Sequence, residues 1–516
     1  MTDQARLAGR RSAALLAGLL LGGCMLGLLS GCSGGPMGSS YEAERACWAA
    51  GRMEQRLGLR PQAKVDALRP AMRAYERILA RYPLAGAGSD PDLRRSLTRS
   101  RILAARRLAN LLLAGGERAR AGQVLWDIQD EAAGDPATAI DFYGDLLQIM
   151  ARGGSADSLA DTYREMYTKL PPAQSDGNPL VPVLQAPLGR INAYTSAGRS
   201  GEAQAAVADA LSYYDRVTQE HTGTATEVVA LTLKADLLAR SGRVPEAVTI
   251  LERARSLPTA GELAPGIGFL LGQFLEQPPV TPGAAARVYR EVFRDFPGKP
   301  AALQAGVRLA TLLASAGQSD SALAVLDRVG LDSPRDPENA AQARYQKGLV
   351  LAASGRRSEA IRELRAVATD FPRTRAGLAA PIQVAEFYRA SNDSLAMRAT
   401  LQEAEQAYEL LIADLRSDPA QGPLVMAAID RLLDVRVRLR DWAPLAQLLE
   451  DRATTFPRDQ RSPSALVEAA QVLDEKLGDR QASIRVLQAL ISRYPAHPLV
   501  KAAKDRIARL GGSSGS

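Results

Sequence analysis

The sequence predicts an all-α chain, an α-solenoid of about eleven helical hairpins, and three observations carry that prediction. One stretch, Ala341–Pro372, reads as two helices folded back on each other. Most other segments repeat its register. The 516-residue chain is rich in alanine, leucine and arginine and has little strand-type alternation. A chain of that length exceeds what one core supports, and a stack in which each unit buries its face against its neighbours resolves this.

Within Ala341–Pro372 the apolar positions Tyr345, Gly348, Leu349 and Leu351 recur at helical spacing until Gly355 interrupts them. Glycine takes the left-handed conformation that closes a helix, so Gly355 marks a stop. A second series follows at Ala360, Leu364, Val367 and Phe371. Pro372 ends it by disfavouring helical geometry at Phe371. Ala360 is small where the two helices approach.

Aligned on the turn glycine, the small residue five later and the closing proline, the same register runs along the chain. Its sets are Gly116, Ala121 and Leu125, then Gly154, Tyr163 and Pro171. Gly198, Ala203, Val207 and Ala210 follow, then Gly242, Ala247, Leu251 and Ala254. Gly317, Ala322, Leu326 and Pro334 precede the reference hairpin, and Gly478, Leu487 and Pro495 come near the end. Asn392 replaces the glycine in one unit, and asparagine also tolerates left-handed geometry. Units closing at Pro83, Pro297 and Pro457 keep only the second half of the pattern. The unit around Leu445 is the least regular. Gly317, Gly355 and Asn392 lie 38 and 37 residues apart, while steps of 44 separate Gly154, Gly198 and Gly242.

Five units end in aromatic–proline: Tyr82–Pro83, Phe296–Pro297, Phe371–Pro372, Phe456–Pro457 and Tyr494–Pro495. A large apolar residue stands two turns earlier in each, at Tyr75, Tyr289, Leu364, Leu449 and Leu487. The glycine–alanine–proline register resembles the tetratricopeptide repeat over roughly residues 44–510. The aromatic–proline endings are similar to those of bacterial envelope proteins, the barrel-assembly repeat lipoproteins and the Tol-associated periplasmic repeat proteins. That resemblance implies a solenoid with a concave groove for partners, working in envelope biogenesis.

Residues 1–31 read as an export signal, with Arg6, Arg10 and Arg11 ahead of an apolar run from Ala13 to Ser30. Leu29–Ser30–Gly31–Cys32 resembles the lipobox of bacterial lipoproteins, which implies acylation of Cys32 and a membrane anchor there. A transmembrane helix is the alternative for this run. Ser33, where an aspartate would favour the inner membrane, implies the outer membrane facing the periplasm. Residues 32–43 are expected as a flexible tether, 44–416 as the repeat solenoid, 424–510 as C-terminal units with a capping helix, and 511–516 as a tail. After processing, Cys47 would be the remaining thiol, a small buried residue beside Trp48.

The formal charge of +7 is unevenly placed. Seventeen basic and eight acidic side chains between residues 41 and 120 give a local +9, and the chain beyond is net acidic. Arg94, Arg95, Arg106 and Arg107 are the candidate membrane-facing patch against anionic head groups. Nucleic acid is not an expected partner, because no reader motif is present. Breaks in the pattern fall at Leu84–Pro91, Pro171–Pro182, Gln277–Pro282 and Ser417–Pro423, the last the candidate hinge.

No catalytic residue, metal site or cofactor is expected. His221 and His497 are the two histidines, far apart in sequence, and there is no nucleophile elbow, Walker lysine or metal-ligand spacing. What remains is surface. Carrying the groove positions of the resembled repeat onto this chain gives Asn192 and Thr195, Thr232 and Asp236, Gln304 and Thr311, then Gln342 and Tyr345. The reading is a lipid-anchored scaffold holding envelope proteins or peptides. The alternatives are a glycan-binding or polysaccharide-export accessory protein, and an enzyme on a helical toroid. The sequence sets no oligomeric state.

Overall fold

The structure, a computed structural model, describes residues 36–58, 68–87, 90–132, 136–153, 155–277, 282–457, 459–495 and 497–511. Among them are 24 α-helices, and the one β feature is an isolated bridge between Ala173 and Pro179. The chain divides into two compact units, Met1–Gly261 and Glu262–Ser516.

In the first unit α1 (Pro36–Gly58) pairs with α2 (Arg69–Arg81), and α3 (Pro91–Ala114) with α4 (Arg118–Trp126) and a short α5 (Gln129–Ala132). Three more hairpins follow: α6 (Pro136–Gly153) with α7 (Ala156–Lys169), α8 (Val181–Ser196) with α9 (Ser200–Glu220), and α10 (Ala225–Arg240) with α11 (Val244–Ser256). The second unit holds α12 (Ala264–Leu275) with α13 (Pro282–Asp295), α14 (Pro300–Ser315) with α15 (Ser319–Leu331), and α16 (Pro337–Ala353) with α17 (Arg357–Asp370). It continues with α18 (Arg375–Ala390) and α19 (Ser394–Leu415), α20 (Gly422–Leu439) and α21 (Trp442–Thr455), and α22 (Ser462–Glu475) and α23 (Arg480–Arg493), capped by α24 (Leu499–Arg509). In each unit a helix packs on its sequence neighbours and, along the first helices, on the helix two further on. Each unit is therefore an α-solenoid of tetratricopeptide-like hairpins.

The turn chemistry read from the sequence is what closes the hairpins. Gly355 sits at φ +80°, and its N–H donates to the Ala352 carbonyl while that of Arg356 reaches back to Leu351, at 3.1 and 2.9 Å. Those two bonds satisfy carbonyls that the helix end would otherwise leave open. The same pair closes α10, through Gly242 and Arg243. Ala121, Ala247, Ala322 and Ala360 are fully buried where the second helix meets the first. At the far end Tyr82, Phe371, Phe456 and Tyr494 leave helical geometry ahead of their prolines, with φ between −119° and −130°. The partners two turns back, Tyr75, Tyr289, Leu364, Leu449 and Leu487, are all buried.

Three segments differ from the sequence reading. The helix α1 begins at Pro36, inside the stretch expected to be a tether. Proline suits a first helical position, and Ser40 is buried with its hydroxyl donating to Ser96 of α3 at 2.6 Å. The loop 171–182 is folded: the Gln174 N–H donates to the Asn178 carbonyl, and the Thr226 hydroxyl of α10 donates to the Gly177 carbonyl. At 417–423, where a hinge was expected, a short 3-10 turn (Pro419–Gln421) leads into α20, which packs on α19; the division between compact units falls at Gly261.

The helices α8 and α18 both contain an internal proline, Pro187 and Pro381. A proline inside a helix removes one amide donor and pushes the chain off its carbonyls. In both cases a buried tyrosine of the next helix donates to the carbonyl three residues before the proline: Tyr214 to Leu184 at 2.8 Å, and Tyr408 to Leu378 at 2.5 Å. Burial pushes both phenols well above their ordinary range.

Candidate partner-binding site

The helices α6, α7 and α8 enclose a cleft of about 720 Å³ in the first unit. From α6 come Asp141, Asp145 and Gln148, which share one face because they stand three to four residues apart. From α8 come Gln185 and Asn192, two turns apart and both exposed. The floor is Tyr163 and Met166 of α7. Gly189 lets α8 settle on that floor, since a Cβ there would lie 2.4 Å from the Tyr163 ring. Burial raises the Tyr163 phenol, so it faces the cleft neutral.

Charge in the cleft is partly spoken for. The Arg106 guanidinium of α3 donates to Asp145, leaving Asp141 as the carboxylate of the cleft without a partner among the described residues. Gln148, Gln185 and Asn192 have no side-chain hydrogen bond among the described residues. The cleft therefore offers three free amides, each both donor and acceptor, and one free negative charge. That is the chemistry of extended main chain accompanied by a basic side chain.

Of the predicted groove residues, Asn192 lies in this cleft and Thr195 is exposed one turn along the same helix. The hydroxyls of Thr195, Thr232 and Thr311 donate to their own helices, at the carbonyls of Ile191, Val228 and Val307. Their donors are consumed, and they present methyl groups outward. Asp236 pairs with Arg240 at 2.8 Å. In the second unit Gln304 and Thr311 are exposed on α14, while Gln342 and Tyr345 are half-buried on α16. Tyr345 packs on the cluster of Leu364, Val367 and Ala380, and burial raises its phenol.

The predicted basic patch is dispersed by its partners. Arg95 pairs with Asp92 at 2.6 Å, Arg106 with Asp145 in the cleft, and Arg107 with Glu54 at 3.6 Å. Arg94 is exposed near Asp130 and Glu131. Cys32 lies outside the described residues. Cys47 is buried, its thiol donating to the Ser100 carbonyl at 3.3 Å, and burial with the nearby Glu44 carboxylate pushes it up to about 11. Asp141, Gln148 and Gln185 were missed. The repeat stripe was not carried onto the α6 unit, although the spacing of Asp141, Asp145 and Gln148 was there to read.

No cluster of metal-ligating side chains occurs among the described residues, and none of the described helices is long and apolar enough to cross a membrane. The tetratricopeptide repeat family matches residues 464–497, the hairpin of α22 and α23. No curated protein matches the chain. Among solved structures, a tetratricopeptide repeat protein from Parabacteroides merdae is 14% identical over 54% of this chain and 97% of its own, with a TM-score of 0.28. Yeast Tom70 is 12% identical over 91% and 96%, with a TM-score of 0.39. The human IFIT1 dimer with PPP-AAAA is 12% identical over 77% and 91%, with a TM-score of 0.27. The repeat class rests on the hairpins themselves and on the matched repeat. Repeats of this kind suggest a protein-interaction scaffold.

Proposed function

We propose that the protein is a lipid-anchored scaffold of a bacterial envelope that holds an extended, basic segment of a partner protein in the cleft between α6 and α8. The observation that carries the binding reading is the set of unpaired amides on Gln148, Gln185 and Asn192 around the free carboxylate of Asp141. Stacked hairpins preorganise these groups, which lowers the ordering cost of association. The lipobox-like sequence before Cys32 supports anchoring and export, with the outer membrane favoured by Ser33. The aromatic–proline endings support envelope biogenesis as the process.

The test is crosslinking in cells. A photoreactive residue replacing Gln148 or Gln185 should capture a defined envelope protein. The same residue at Leu331 or Leu395, exposed positions of the second unit, should not. Identical adducts from all four positions, or none from the cleft, would sink the reading. Replacing Asp141 and Asn192 with arginine should reduce the cleft adduct about tenfold, because like charge and bulk then face a basic guest. For the anchor, Cys32→Ala should release the protein from membranes.

A further inference from the structure

The apolar run Ala13–Ser30 and Cys32 end only four residues before Pro36, where α1 starts. Four residues span at most about 14 Å. Whatever holds Cys32 at a bilayer therefore keeps the first turn of α1 within that distance of it.

The outward face of α1 suits such a position. Its inward stripe, Ala43, Cys47 and Ala50, is buried. On the opposite stripe Tyr41 and Trp48 are 56% and 63% exposed, two turns apart, with Arg45 and Arg52 between and beyond them. The Arg52 guanidinium lies 4.8 Å from the Trp48 ring centre. Across a shallow groove of about 430 Å³, α3 presents Leu103, 47% exposed, between Arg99 and Arg107. The acids nearby are engaged: Glu42 with Arg81 at 3.9 Å, Glu44 with the Ser96 hydroxyl, and Glu54 with Tyr75 and Arg107. Arg45, Arg52 and Arg99 are left without a carboxylate among the described residues. Large exposed aromatics beside unpaired arginines match the layer between acyl chains and anionic head groups.

We infer that this face of α1 and α3 is a bilayer-contact surface, with Tyr41, Trp48 and Leu103 in the interfacial layer and Arg45, Arg52 and Arg99 on anionic lipid head groups. It rests on the anchored reading above. It differs from the patch expected from sequence, of which three arginines are paired with carboxylates. Anchor and face together would hold the first hairpin against the membrane and leave the cleft of α6 to α8 presented above it.

The processed chain, beginning at acylated Cys32, is reconstituted in phosphatidylglycerol vesicles with brominated or plain acyl chains. Three versions each keep one of Trp48, Trp126 and Trp442, the others replaced by phenylalanine. Bromine should quench Trp48 at least about twofold and leave Trp126 and Trp442 nearly unchanged, because quenching needs contact with the acyl layer. Arg45→Gln, Arg52→Gln and Arg99→Gln together should bring Trp48 back toward the Trp442 level while the protein still co-sediments. Unchanged quenching in that variant would remove the head-group half of the inference. Co-sedimentation with Trp48 quenched no more than Trp442 would overturn the whole surface and assign the face to a protein partner. Failure to co-sediment would overturn the anchored reading, and this surface with it.

Discussion

The hairpins α16–α17 and α20–α21 share one helix–turn–helix order and are held by different chemistry. In α16–α17 the contact is apolar and close. Gly348 lies so near Leu364 that a Cβ would be 2.7 Å from its Cγ, and Ala341, Ala360, Leu364 and Val367 are fully buried around it. Its ion pairs, Arg344 with Asp370 and Lys347 with Glu363, sit at the half-exposed rim, where such pairs contribute little. In α20–α21 two arginines are buried instead. Arg436 donates to Glu405 at 3.0 Å, to the Pro444 carbonyl at 2.8 Å and to Glu409. Arg452 donates to Asp430 and, at 3.3 Å, to Asp459. The turns differ as well: Gly355 is at φ +80°, whereas Arg440 is forced to φ +60°. One hairpin meets the repeat's demands with small residues, the other with charge and backbone strain.

Breaking the braces should have the largest effect. Arg452→Ala leaves a void beside Asp459 and takes from Asp430 its buried partner, leaving it Arg461 at 3.1 Å, and should cost about 3 kcal/mol in denaturant unfolding of the second unit. In the apolar hairpin, Gly348→Val drives a side chain into Leu364 and should cost about 2 kcal/mol in the same measurement. The turns offer a reciprocal exchange: Arg440→Gly should stabilise by about 1 kcal/mol and Gly355→Arg should destabilise by a similar amount, since only glycine adopts this conformation without strain. Equal and opposite shifts would confirm that the two turns are equivalent.

The smallest effect concerns acid. The Arg389 hydrogen bond, assisted by Arg438, holds the Glu386 carboxylate below its ordinary range against the opposing effect of burial. A depressed folded value gives a stabilisation that is present above the unfolded carboxylate range, near about 4.3, and is lost as pH falls through the lower folded value. Hydrogen exchange, corrected for intrinsic rates, should show α20 loosening with acid before the interior of α16 does.

This contrast also explains what was legible. Gly355, Ala360 and Pro372 announce their roles by residue type, so α16–α17 was readable at sight. The irregular unit around Leu445 was not, because positive φ at Arg440 is a backbone property that no arginine advertises, and the carboxylates that hold Arg436 and Arg452 stand 7 to 31 residues away in sequence. In the cleft, Asn192 was reached by register. Arg106 was taken for a membrane contact because its partner Asp145 is on another hairpin, 39 residues away. Thr195, Thr232 and Thr311 looked like free polar groups in one dimension and are bonded to the turn behind them in three.

The closing bonds at Gly355 and its counterparts span only five residues or fewer, and each helix finds its partner next to it in sequence. Chains whose contacts are this local nucleate anywhere and zip outward rapidly. On the export proposed above, the chain would regain structure one hairpin at a time as it emerges from a translocation pore, from the α1 end first, each helix waiting only for its neighbour.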